Sequence, residues 1–138
     1  MKKLFFALML LPLAACATPK NIVEADLLGK AYFLKEADGQ APPAASQAAA
    51  TPSLSFNGEQ GKMLLYGAVC NRFAGQAQVR NNVLIAPLMA ATKMFCINNE
   101  LNTLESNLFR MLEAGAALSL DNGALILRQG GHTLVYLP

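Results

Sequence analysis

From Ser53 to the C-terminus the chain consists of short runs in which apolar and polar residues alternate, each closed by a turn signal. Ser53 to Asn57 sets Leu54 and Phe56 on one face, Asn57-Gly58 and Gly61 mark a turn, and Lys62 to Val69 follows as a more apolar run. Phe73 to Arg80 alternates weakly before Asn81-Asn82. Val83 to Leu88 then ends near Pro87, which cannot donate to a ladder and so marks an edge or a bulge. Ala117 to Leu120 and Ala124 to Arg128 flank Asp121-Asn122-Gly123, and Gly130-Gly131 leads into His132 to Leu137. A period of two sends successive side chains to opposite faces, which predicts antiparallel strands. Regularly spaced short strands of this kind build a sandwich or a barrel-like sheet. Upstream, Leu27 to Glu36 reads as a first strand with Tyr32 and Leu34 on one face.

One segment breaks the period. From Asn99 to about Glu113, Leu101, Leu104, Leu108, Met111 and Leu112 recur at three- and four-residue spacing, the stripe of a helix lying on a sheet. Asn98 or Asn99 can cap its start and Gly115 can supply a left-handed stop. A second segment, residues 37–52, is rich in Ala and broken by three prolines. It holds too little apolar surface to offset the entropy of ordering, which predicts a flexible loop. A lone strand before it cannot fold by itself, so the loop interrupts one domain, residues 27–138, rather than dividing two.

The first sixteen residues indicate where the chain works. Lys2 and Lys3 precede the apolar stretch Leu4 to Leu13, and Leu13-Ala14-Ala15 ends at Cys16, the layout of a secretory signal over residues 1–15. The stretch is shorter than the roughly twenty apolar residues a membrane span needs. Leu-Ala-Ala-Cys resembles the lipobox of bacterial lipoproteins, which implies cleavage before Cys16, acylation of its sulfur and amine, and attachment to the membrane through an N-terminal lipid anchor. Residues 16–26 are then a tether. Ala17 stands where an aspartate commonly retains such proteins at the inner membrane, so the resemblance implies the outer membrane, facing the periplasm.

Processing also changes the charge. Loss of Lys2 and Lys3 lowers Lys+Arg from 11 to 9, equal to the 9 Asp+Glu, so the formal side-chain charge falls from +2 to zero. Without a basic patch, nucleic acid is not an expected partner.

Cys70, within GAVCNRFAG at 67–75, fits a nucleophile, a metal ligand, half of a disulfide or a buried thiol. Export narrows the choice, because two cysteines in one small domain of an oxidising compartment generally pair. A Cys70–Cys96 disulfide is therefore expected, worth roughly 3.5 kcal/mol in the chain-entropy model. A nucleophilic thiol needs a base, and the single histidine, His132, falls in a hairpin strand. A zinc site would need nearly all of Cys70, Cys96 and His132 as ligands. Thiol chemistry and metal binding stay as the lesser alternatives, and no cofactor is expected.

The surroundings of these cysteines carry a resemblance. VCNRFAG at 69–75, followed by ATKMFC at 91–96, is similar to the paired GCN-x-x-x-G and TKM-x-C motifs of the META domain family, which includes HslJ-like heat-shock lipoproteins. Val69, Ala91 and Tyr32 depart from the family's usual glycine, serine and tryptophan. The resemblance implies a compact antiparallel, barrel-like sheet with one packed α-helix, a mainly β member of the α+β class. Asn71 reads as a residue bonding its own backbone in a tight turn, Gly75 as a point of close approach and Phe73 as core. Arg72 and Lys93 form a candidate anion- or partner-binding surface.

For function the expectations are three. The first is a non-enzymatic, monomeric envelope lipoprotein with a stress or barrier-maintenance role, acting by binding or scaffolding of an envelope partner. The second is an inhibitor or accessory of a periplasmic hydrolase. The third, an enzyme, finds no catalytic triad order, carboxylate pair in a recognisable spacing, HExxH or phosphate-cradling glycine loop in the sequence.

Overall fold

The computed structural model describes residues 19–43 and 51–138; the leader, Cys16 and residues 44–50 of the Ala/Pro-rich loop lie outside the described residues. Nine strands and one helix follow one another as β1 (Lys30–Ala37), β2 (Ser53–Glu59), β3 (Lys62–Ala68), β4 (Arg72–Arg80), β5 (Val83–Ile85), β6 (Met89–Ala91), α1 (Asn99–Ala114), β7 (Ala116–Asp121), β8 (Ala124–Gln129) and β9 (His132–Leu137). All pairings are antiparallel. The ladder runs β3-β2-β1-β9-β8-β7-β5-β4, and β4 returns to pair with β3, so eight strands close into a barrel while β6 lies outside the ring on β4. The mainly β, barrel-like architecture with one packed helix is the one the sequence predicts.

Four hairpins share one turn chemistry. The two-residue links Gln60-Gly61, Asn81-Asn82, Asn122-Gly123 and Gly130-Gly131 all have positive φ at both positions, the type I′ geometry whose twist matches that of paired strands. Asn57-Gly58 is not the turn expected there. It belongs to β2, and the chain reverses at Gln60-Gly61 instead. β1 likewise starts later than expected, at Lys30, because Glu24–Asp26 forms a 3-10 turn and Gly29 has φ 75° before the strand begins.

Pro87 marks a bulge. β5 and β6 both lie along one edge of β4, but the register slips by one residue between Gln78↔Ile85 and Gly75↔Met89, and Ala86–Leu88 loop out between them. β6 was not legible in the sequence, since Met89-Ala90-Ala91 carries no alternation. Gly75 makes its pairing feasible: a Cβ there would come within 2.5 Å of the Leu88 carbonyl and 2.9 Å of Met89 Cγ.

The core fills the barrel and is sealed at both ends. At one rim, where β3, β5 and β8 end and β4, β7 and β9 begin, α1 lies across the opening. Its buried side chains are Leu101, Leu104, Leu108, Met111 and Leu112, the stripe read from the sequence, and they join Leu84, Ala86, Ala116, Leu127 and Leu134 in one cluster. Asn98 Oδ1 accepts from the Glu100 amide at 2.8 Å to cap the helix, and Gly115 with φ 95° ends it. The Leu112 carbonyl accepts from Ala86 N at 2.8 Å, tying the last turn to the bulge.

The other rim is plugged by the segment before β1. Ile22 and Leu27 are buried, Ile22 N donates to Asn82 Oδ1 at 2.6 Å, and Gly29 N donates to the Phe56 carbonyl at 2.7 Å. The expected tether is thus tied down at Ile22, which is buried in the core cluster, while Val23 and Ala25 stay exposed.

Candidate functional site

The two cysteine motifs meet at the helix-covered rim. Cys70 lies in the β3–β4 connection, residues 69–71, and Cys96 in the loop before α1; their sulfurs are in contact and their Cα atoms lie 6.0 Å apart, a separation a disulfide spans. Cys96 is buried and Cys70 half-buried.

Beside the sulfurs, Asn71 organises a polar knot that draws in a residue the sequence did not single out. Glu105, on the flank of α1, accepts from the backbone amides of Cys70 at 3.1 Å and Asn71 at 2.7 Å through Oε2, and from Asn71 Nδ2 at 2.9 Å through Oε1. Asn71 Oδ1 in turn accepts from the Thr92 hydroxyl at 3.1 Å and the Met94 amide at 2.6 Å. Asn71 therefore does not bond its own backbone as expected. It uses both ends of its amide to join the helix to the second motif, and at 7% exposure it is the one buried polar residue of the described core. Such hydrogen bonds to an ionised carboxylate are about twice as strong as neutral ones. No signal in sequence marks Glu105, because its partners lie 34 and 35 positions away.

The remaining motif residues divide between packing and surface. Phe73 is buried and meets Phe109 of α1 edge to face, ring centroids 5.0 Å apart. Arg72 and Lys93 are both exposed on either side of Thr92, whose hydroxyl accepts from Arg72 N at 3.1 Å and whose amide donates to the Arg72 carbonyl at 2.9 Å. Neither side chain forms an ion pair among the described residues. A shallow concavity of about 460 Å³ over the knot is lined by Asn71, Thr92, Lys93, Phe95, Glu105 and Phe109.

His132 lies elsewhere on the same rim. Its Nδ1 is 2.8 Å from Asp38 Oδ2, while Asp38 Oδ1 accepts from Thr133 N at 2.8 Å. The Thr133 amide first, and His132 second, hold the Asp38 carboxyl below the usual carboxylate range. His132 is therefore engaged with Asp38, not with either cysteine. Among the described residues no group of three or more His, Cys, Asp or Glu side chains could hold a metal ion.

The chain is similar in sequence and fold to known proteins. The chain is 35% identical over 138 residues to the heat shock protein HslJ of Escherichia coli K12, covering 99% of this chain and 95% of that one. One protein structure solved by NMR superposes with a TM-score of 0.72 at 30% identity, covering 84% of this chain and 94% of its own. Another, from Burkholderia xenovorans, gives 0.62 at 19% identity over 94% and 97%, a likeness of fold. The META domain model matches residues 25–138, from the 3-10 turn through the last strand, with both cysteine motifs, the knot and the helix inside it. The chain belongs to the META domain family.

Proposed function

We propose that this chain is a stress-associated lipoprotein of the bacterial cell envelope, exported by residues 1–15, acylated at Cys16 and held at the outer membrane facing the periplasm. Its Cys70 and Cys96 form a disulfide, and it acts by binding or scaffolding rather than by catalysis. The observation that carries the stress role is the identity with a heat shock protein along nearly the whole chain. Export and anchoring are supported by the Leu-Ala-Ala-Cys layout. A binding role is favoured because the polar groups that the two motifs bring together, Asn71, Thr92 and Glu105, are engaged with one another. The second reading, an accessory of an envelope hydrolase, has on its side the exposed Met94, Phe95 and Ile97 of the loop before α1.

The test follows the tagged full-length protein by immunoblot of fractionated cells before and after a heat shift. The wild type should rise in abundance and partition with outer membrane, and Cys16→Ser should move to the soluble periplasmic fraction. Unchanged abundance would remove the stress role, and a Cys16→Ser form that stays with membrane would remove the anchor.

A further inference from the structure

The stretch from Leu88 to Ile97 is at odds with the rest of the surface. Leu88 is 84% exposed, Met94 67%, Phe95 90% and Ile97 90%, whereas the other exposed large apolar residues, Val23, Leu28, Phe33, Tyr66 and Leu137, reach at most 49%. These four flank β6, which is the last strand of the ladder order and pairs with β4 alone. Among the described residues no strand pairs with its other side, which leaves main-chain donors and acceptors there beside apolar side chains. Four large apolar side chains so exposed within ten residues, on an otherwise well-packed domain, mark an interaction surface.

Charge and position select the occupant. From Ala86 to Asn98 the chain contains Lys93 and no acidic residue, and exposed Arg72 stands next to it across Thr92. Glu105, the nearest carboxylate of the knot, is already taken by three donors. Pairing of this face with itself in a second copy would bring its cations together with no free carboxylate of the stretch to oppose them, so like charges disfavour a two-fold contact here. Position disfavours the anchoring membrane, and in this one respect the inference rests on the proposed lipidation of Cys16. The anchor lies four residues before Lys20, which the β4–β5 turn holds through Asn82 at the plugged rim. Leu88 precedes the Gly75↔Met89 pair partway along β4, but Met94, Phe95 and Ile97 follow Thr92 past Arg72 at the opposite rim, the length of β4 away, roughly 26 Å at 3.3 Å per residue.

We propose that β6 and its flanks form a docking edge for an extended segment of another envelope protein. The segment adds as a short strand along Met89–Ala91. Its apolar side chains rest on Leu88, Met94, Phe95 and Ile97, and its carboxylates meet Arg72 and Lys93. Main-chain pairing on three residues is too brief to hold arbitrary strands, so the side chains decide which segment binds. The Cys70–Cys96 link and the Met94–Asn71 hydrogen bond fix the loop in advance, which lowers the ordering cost of binding.

The experiment places a benzophenone amino acid at Phe95 of the full chain in living cells and sequences the cross-linked peptide by mass spectrometry. A synthetic copy of that peptide is then titrated into the purified protein. The expected product is a peptide of another envelope protein with alternating apolar residues and at least one Asp or Glu. Its affinity should fall at least tenfold for Phe95→Ser/Ile97→Ser and severalfold for Arg72→Ala/Lys93→Ala, with unfolding midpoints unchanged. Cross-links to phospholipid, to a second copy, to scattered unrelated segments or to nothing would overturn the proposal, as would equal affinity in the variants. The titration needs no membrane, so its failure is separable from failure of the anchor, which the Cys16→Ser fractionation reports.

Discussion

At the scale of single residues, the hinge of the motif region is the pairing of Asn71 with Glu105. Asn71→Asp keeps the shape and both accepted bonds, but replaces a donor to Glu105 with a second carboxylate at 2.9 Å. It should cost roughly 2–4 kcal/mol, at least as much as Asn71→Ala, in urea unfolding at neutral pH. If the near-isosteric change proved the milder of the two, the knot would not be holding the helix. Asp38 makes a pH prediction. Because its carboxyl titrates lower in the folded chain than in the unfolded one, the unfolded state binds the proton first. The stabilisation is complete above the ordinary carboxylate range, near pH 4, and is lost as pH falls through the folded value. Asp38→Asn should flatten this part of the acid-unfolding curve, by a modest amount since the side chain is half-exposed. Phe73 as core and Gly75 as a close approach were readable in the sequence because both follow from local shape. Glu105 was not, since a glutamate on a helix flank looks the same in sequence whether it faces water or two amides.

At the scale of elements, α1 was the most legible part, because five apolar residues at helical spacing leave one face to bury and the sheet offers one place to bury it. Leu108 is fully buried at the centre of that face, and Leu108→Ala should cost about 2–5 kcal/mol, read by thermal or denaturant unfolding. The hairpins were legible where Asn and Gly cluster, and misread at Asn57-Gly58, where cross-strand pairing of β2 with β3 continues past the pair. β6 exists only by tertiary contact: three residues without alternation become a strand because β4 offers a free edge and a glycine against which they fit. Gly75→Ala should therefore displace β6 selectively, with faster amide exchange at Met89–Ala91 and a loss of roughly 1–3 kcal/mol. Equal protection of those amides in the variant would show that the contact is not what seats the strand.

At the scale of the molecule, the barrel-like sheet follows from the resemblance of the two cysteine motifs and not from the strand pattern alone, since pairing β1 with β9 and β4 with β3 depends on how all strands twist together. The period of two gave the strands but not the ring. The proposed disulfide acts at this level. Breaking it by reduction or by Cys70→Ser/Cys96→Ser should lower stability by about 3 kcal/mol, somewhat less if the unfolded chain keeps residual structure. The plug, too, escaped notice, because a single isoleucine ahead of a 3-10 turn has no periodicity to betray it. Yet its place in the chain gives it a mechanical character. Ile22 lies between the proposed lipidation site and every strand of the described residues, so a pull on residue 16 reaches that side chain and its bond to Asn82 before it loads any ladder. Under force the domain should give way in two stages, first a small slip that uncorks one mouth of the barrel while the sheet stays whole, and only later the tearing of the sheet itself.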